Sequence, residues 1–162
     1  MEIGGLPLHA LVVHATVVLI PLSALLVIAF AVLPGWRWLT RWPTALASVA
    51  VVALALLSTQ SGEALLEARP FLLESEQLAE QLETHEERGD LLFQLSIPFA
   101  VLVLVGAWSL PGTSALASGR GAQESRLSVA DKVLPVVLVL AAVGIIVLTV
   151  LTGDAGARAV WG

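Results

Sequence analysis

The sequence contains no cysteine and carries little charge of either sign. Without cysteine there is no disulfide, no thiolate nucleophile, no iron–sulfur ligation and no thiolate zinc site. Any metal must be held by histidine, carboxylate or backbone oxygen, and the redox compartment is left open. Charged residues make up 13% of the 162 residues, against about one-quarter in a soluble domain. Lys and Arg number 8 against 13 Asp and Glu, a formal net charge of −5. No basic patch exists to neutralise phosphates, which excludes a nucleic-acid partner. A phosphate-cradling G-x-x-x-x-G-K-[ST], a G-x-S-x-G elbow and an H-E-x-x-H helix are all missing, and "HEERGD" from His85 lacks the second histidine of a zincin. The motifs therefore do not point to an enzyme.

What fills the chain is apolar: 57% of residues are hydrophobic and the mean hydropathy is +0.91. Four stretches, about 8–33, 44–60, 91–110 and 133–152, approach or reach the length needed to cross a hydrocarbon core of about 30 Å. The expected fold is all-α, a four-helix transmembrane bundle forming one integral membrane domain over residues 1–162. Pro7 suits a helix start, and Pro21 is expected to bend the first span without ending it. That span is too long for a signal-peptide core, and Glu2 with no Lys or Arg precedes it, so retention is expected. Ala45, Ala50 and Ala53 are expected to admit a close helix neighbour.

Between the second and third spans the composition inverts. Gln60 to Asp90 holds Glu63, Glu67, Glu74, Glu76, Glu80, Glu83, Glu86, Glu87 and Asp90 against Arg69 and Arg88, with leucines interleaved. This predicts an acidic amphipathic extramembrane helix, broken at Pro70, whose second part starts after Ser75 as N-cap and can run without interruption into the third span. Residues 111–132, rich in Gly, Ser and Ala, read as a flexible loop. Arg37, Arg41, Arg120, Arg126 and Lys132 all fall in the first and third connections, and Trp36, Trp38, Trp42 and Trp108 lie at the same level. The positive-inside rule makes that side cytoplasmic. The chain is then a multi-pass plasma-membrane protein with both termini and the acidic segment extracytoplasmic.

The same topology gathers His9, His14 and His85 at the outer end, together with Glu63, Glu67 and Asp154. His14 lies about 10 Å along the helix from Pro7 at 1.5 Å per residue, where an ionisable group is costly unless it faces the bundle interior. It is the first candidate. His9 and His14 differ by about 140° around a helix at 100° per residue, so at most one points to a shared site. His85, Gly89, Leu92 and Ser96 share a face whose small residues favour contact with another helix.

Three readings follow. His14 and His85 ligate a transition metal ion or the iron of a haem b, with Glu63, Glu67, Asp154 and His9 as further ligands or hydrogen-bond partners. Alternatively, His14 and the carboxylates handle protons. In the third, the histidines only fasten helix ends. The acidic stretch Gln60 to Asp90 is a candidate surface for a membrane redox or other protein complex, which makes a non-catalytic accessory or scaffold subunit the alternative function. A Gly153 and Gly156 pair in "TGDAGARAVWG" predicts the stop of the last helix.

"GLPLHALVVHAT" from Gly5, "SGE" from Ser61, "HEERGD" from His85 and the closing "TGDAGARAVWG" resemble a widespread bacterial family of small four-span membrane proteins known only as a domain of unknown function. The family's opening H-P-x-x-V-H-F-P matches His9 and His14 in spacing, with Ala10 in place of the first Pro and Ala15-Thr16 in place of Phe-Pro. Its H-E-x-x-G matches His85, Glu86 and Gly89. Many members carry a histidine near the final Gly-rich turn, where this chain has Asp154. The resemblance implies a plasma-membrane protein in a redox or metal-linked setting and supplies no activity.

Overall fold

A computed structural model of the chain describes residues 2, 3, 5–128 and 130–161. The expectation of four apolar helices holds: α1 is Leu8–Val32, α2 Arg37–Ala68, α3 Glu76–Ser109 and α4 Ala130–Trp161, each long and apolar enough to cross a membrane. Before α1 the chain doubles back in a two-residue antiparallel ladder, Glu2–Ile3 with Leu6–Pro7, and Gly5 supplies the positive φ of its turn. At 1.5 Å per residue α1 is about 37 Å long, whereas the 32 to 34 residues of the other helices reach about 50 Å. Three helices are therefore longer than the roughly 30 Å of hydrocarbon requires.

Each helix packs on its sequence neighbours and α4 closes against α1, leaving α1 and α3 on one diagonal and α2 and α4 on the other. The start of α1 meets the end of α4 at Val17 and Gly153, and the end of α3 meets the start of α4 at Gly106 and Leu138, so neighbours run antiparallel. Ile20, Val27 and Phe30 of α1, Val51 of α2, Phe99 and Val103 of α3 and Leu138 of α4 form the buried core. Outward faces stay apolar: Leu46 is 71% exposed and Leu140 66%, an arrangement that is stable only where lipid is the solvent. Pro21 and Pro98 are accommodated inside unbroken helices.

The inner face of α2 is Thr44, Ala45, Ser48, Val51 and Ala55, while Ala50 and Ala53 face outward. Of the three alanines expected at a helix contact only Ala45 is buried, because the buried residues of α2 recur at three- and four-residue steps through Thr44 and Ser48.

The acidic amphipathic helix expected between spans two and three is not an element of its own, although its second part does run without interruption into the third span. Its residues instead extend α2 to Ala68 and begin α3 at Glu76, joined through the 3-10 turn Pro70–Leu73. Pro70 lacks the N–H needed to continue α2. On either side, turns added to an existing helix avoid the cost of nucleating a new one. Ser75 does precede α3, with extended backbone, but makes no side-chain cap bond.

The first connection is shorter than its composition implies, since α2 begins at Arg37 directly after the 3-10 turn Pro34–Trp36. Arg37 and Arg41 are only 4% and 6% exposed. Arg37 donates through Nε to the Phe30 carbonyl at 3.0 Å, through Nη2 to Ala31 at 2.8 Å and through Nη1 to Pro111 at 2.9 Å. Arg41 donates to the carbonyls of Ala107 and Leu110. Gln123 Nε2 adds bonds to Trp108 and Leu110. The carbonyls left over at the ends of α1 and α3 are thus satisfied by guanidinium and amide donors in place of water. The third connection, expected to be a flexible loop, is held by reciprocal backbone bonds between Gly112 and Gln123 at 2.9 Å.

Candidate functional site

At the opposite end of the bundle His9 and His85 face each other from the diagonal helices α1 and α3. Their ring centroids are 6.2 Å apart and their planes lie at 73°. His9 is set in the first turn of α1, and its Nδ1 lies 3.1 Å from Ser61 Oγ on α2. Ser61 Oγ donates its single proton to the Ser58 carbonyl at 3.1 Å. With its proton on the Ser58 carbonyl it accepts from His9, and the His9 proton then sits on Nδ1.

His85 makes the matching contact across the other helix pair, with Nδ1 3.0 Å from the carbonyl oxygen of Thr152 on α4. A carbonyl only accepts, so His85 also carries its proton on Nδ1. In the neutral form both rings then hold their free lone pair at Nε2.

Each imidazole rests on a glycine of the adjoining helix. A Cβ at Gly62 would lie 3.2 Å from His9 Cε1, and one at Gly156 would lie 2.8 Å from His85 Cε1. Gly153 and Gly156 do not stop α4, which continues to Trp161. Gly156 is a close-approach position against His85, whereas a Cβ at Gly153 would meet Val17 at an ordinary 3.7 Å. Thr16 Oγ1 and Ser58 Oγ, 2.8 Å apart, tie α1 to α2 one layer below, and Arg88 Nη1 donates to the Leu151 carbonyl at 2.9 Å. Beside His9 a cleft of about 240 Å³ opens between α1 and α2, walled by Pro7, Leu8, Leu57, Ser61 and Leu65.

The structure brings together His9 and His85, the pair the sequence did not single out, and leaves His14 apart. His14 is exposed on the outer face of α1, its Nδ1 turned to the Ala10 carbonyl one turn back. The 140° between positions 9 and 14 forces this choice, because the face carrying His9 continues into Thr16 and Ile20. Glu63 and Glu67 are exposed, and Asp154 pairs with Arg158 at 2.9 Å on the surface of α4. Among the described residues no three His, Asp or Glu side chains approach closely enough to hold one metal ion. His85 lies on the face expected for it, since Leu92 and Ser96 below it are buried. Gly62 and Gly156, against which the two rings rest, are the site components that motif reading missed.

No curated protein and no solved structure matches the chain. The profile of the family described as predicted membrane protein (DUF2231) covers residues 5–162, and with its four spanning-length helices the chain is a membrane protein that belongs to this family.

Proposed function

We propose that the His9–His85 pair is the working site of this membrane protein and binds a metal ion, or the iron of a haem b, between its two Nε2 atoms for electron transfer or metal handling. The supporting observation is that both Nδ1 atoms are engaged, with Ser61 Oγ and with the Thr152 carbonyl, and both lone pairs are left at Nε2. An outer hydrogen bond of this kind fixes the tautomer and orientation of a ligating imidazole. His14, Glu63, Glu67 and Asp154 take no part in this site. The test is an absorption spectrum with elemental analysis of the detergent-purified protein, compared with His9→Ala and His85→Ala. Stoichiometric metal or a Soret band lost in both variants supports the reading; a colourless, metal-free protein that takes up neither when supplied sinks it.

A second reading is an accessory or scaffold subunit, favoured by the same hydrogen bonds, which tie α1 to α2 and α3 to α4. In that case the acidic ends of α2 and α3 stand clear of the bilayer and dock a partner. Replacing Glu76, Glu80, Glu83 and Glu87 by Gln then abolishes co-purification of a partner and leaves ligand content unchanged. In both readings the protein sits in the plasma membrane with the histidine end and both termini extracytoplasmic. Support comes from Arg37, Arg41, Arg120, Arg126 and Lys132 at the other end.

A further inference from the structure

We infer that the His9–His85 pair is a two-coordinate site for monovalent copper, an inference that rests on the metal reading above and narrows it. Geometry supplies the first argument. With metal–nitrogen bonds of about 2 Å and a nitrogen about 1.1 Å from its ring centre, two imidazoles on opposite sides of one ion have centroids roughly 6.3 Å apart, and at a tetrahedral angle roughly 5.1 Å. The two rings meet edge-on at 6.2 Å, a separation that matches the first arrangement and exceeds the second. Near-linear coordination by two nitrogens is a habit of the closed-shell monovalent coinage ions, whereas zinc in structural sites takes four ligands.

The ligand inventory agrees. No third histidine or carboxylate joins the pair among the described residues. Glu63 and Glu67 are exposed, and Asp154 is committed to Arg158 at 2.9 Å. Calcium and magnesium need several oxygens, which the pair does not offer, while imidazole nitrogen suits copper. Charge selects in the same direction. Two neutral imidazoles leave the ion's charge uncompensated in a medium poorer than water, and the transfer cost grows as the square of that charge, so a divalent ion meets about four times the penalty of a monovalent one.

A porphyrin fits less well. Its plane would extend from between the rings toward α2 and α4, the helices whose backbones already reach the imidazoles at Gly62 and Gly156. A bare ion needs no such slot. The cleft between α1 and α2, lined by Ser61 and Leu8, reaches the His9 ring.

The experiment is anaerobic titration of the full-length protein in detergent with copper(I) against bicinchoninate, with X-ray absorption spectroscopy of the loaded protein. The expected result is one copper(I) per chain with two nitrogen neighbours at about 2 Å, unaffected by a hundredfold excess of zinc. Losing an outer-shell partner costs 10- to 100-fold in metal affinity, so losing a ligand in His9→Ala or His85→Ala costs at least about a hundredfold, while His14→Ala binds as the native chain does. Zinc or haem bound by the pair in preference to copper(I), or a third or fourth ligand in the absorption spectrum, overturns copper selectivity and leaves the metal reading intact. Binding of none of the three overturns both. The spectrum of the native chain decides coordination number even if a variant fails to fold.

Discussion

Gly156 lies so close under His85 that a methyl group in place of its hydrogen would come within 2.8 Å of the ring carbon Cε1. Because that atom is at the far end of a side chain, the ring can swing away and the helix need not yield. Alanine is also the better helix former by about 1 kcal/mol. Gly156→Ala is therefore expected to leave thermal unfolding in detergent unchanged or slightly raised while weakening ligand binding at His85 by about tenfold or more, the scale of a lost orienting bond. Gly62→Ala, at 3.2 Å from His9, should do less. A fall in stability with binding preserved would show that the glycine serves packing alone.

Among the described residues Ser61 is the side chain hydrogen-bonded to His9, and its hydroxyl reaches both the His9 ring and the Ser58 carbonyl. Ser61→Ala removes the acceptor of the Nδ1 proton and frees the ring to turn. The expected loss is about 10- to 100-fold in metal affinity with no change of fold, since it removes an outer-shell partner only. Equilibrium dialysis of the variant against the native protein reads it directly.

At the other end, Arg37 spans three carbonyls at 2.8–3.0 Å that a lysine ammonium cannot reach together. Arg37→Lys should destabilise the protein by about 1–3 kcal/mol through the carbonyls left without donors, read as a lower midpoint in denaturant titration. Arg120→Lys, on an exposed position, should move stability by less than about 0.5 kcal/mol.

These two ends differ in how far the sequence disclosed them. The four spans were legible because apolar runs of spanning length have few alternatives, and the resumption of helix after Ser75 was legible because Pro70 must break it. Arg37 and Arg41 counted as loop cations, since composition registers their charge and not the carbonyls of Phe30 and Ala107 that meet them. His14 looked stronger than His9 because depth along the helix was used where rotation decides. Counting back seven residues from buried Thr16 reaches His9, but Thr16 is recognised as buried only once α2 is in place. Glycines 153 and 156 carried the signal of a helix stop, yet Gly156 is a seat for a ring, and sequence alone cannot separate the two without the facing His85.

Orientation can be read without disturbing either end, because the chain has no cysteine and any introduced thiol reports alone. Glu67 near the end of α2 and Ala117 in the third connection are both exposed and lie at opposite ends of the bundle. If the histidine end faces outward, Glu67→Cys reacts with a membrane-impermeant maleimide on intact spheroplasts, and Ala117→Cys reacts only after the membrane is opened. The reverse pattern would put five of the eight basic residues outside, against the charge rule. It would also place the His9–His85 pair in the cytoplasm, where any copper(I) it receives must come from the reducing side of the membrane.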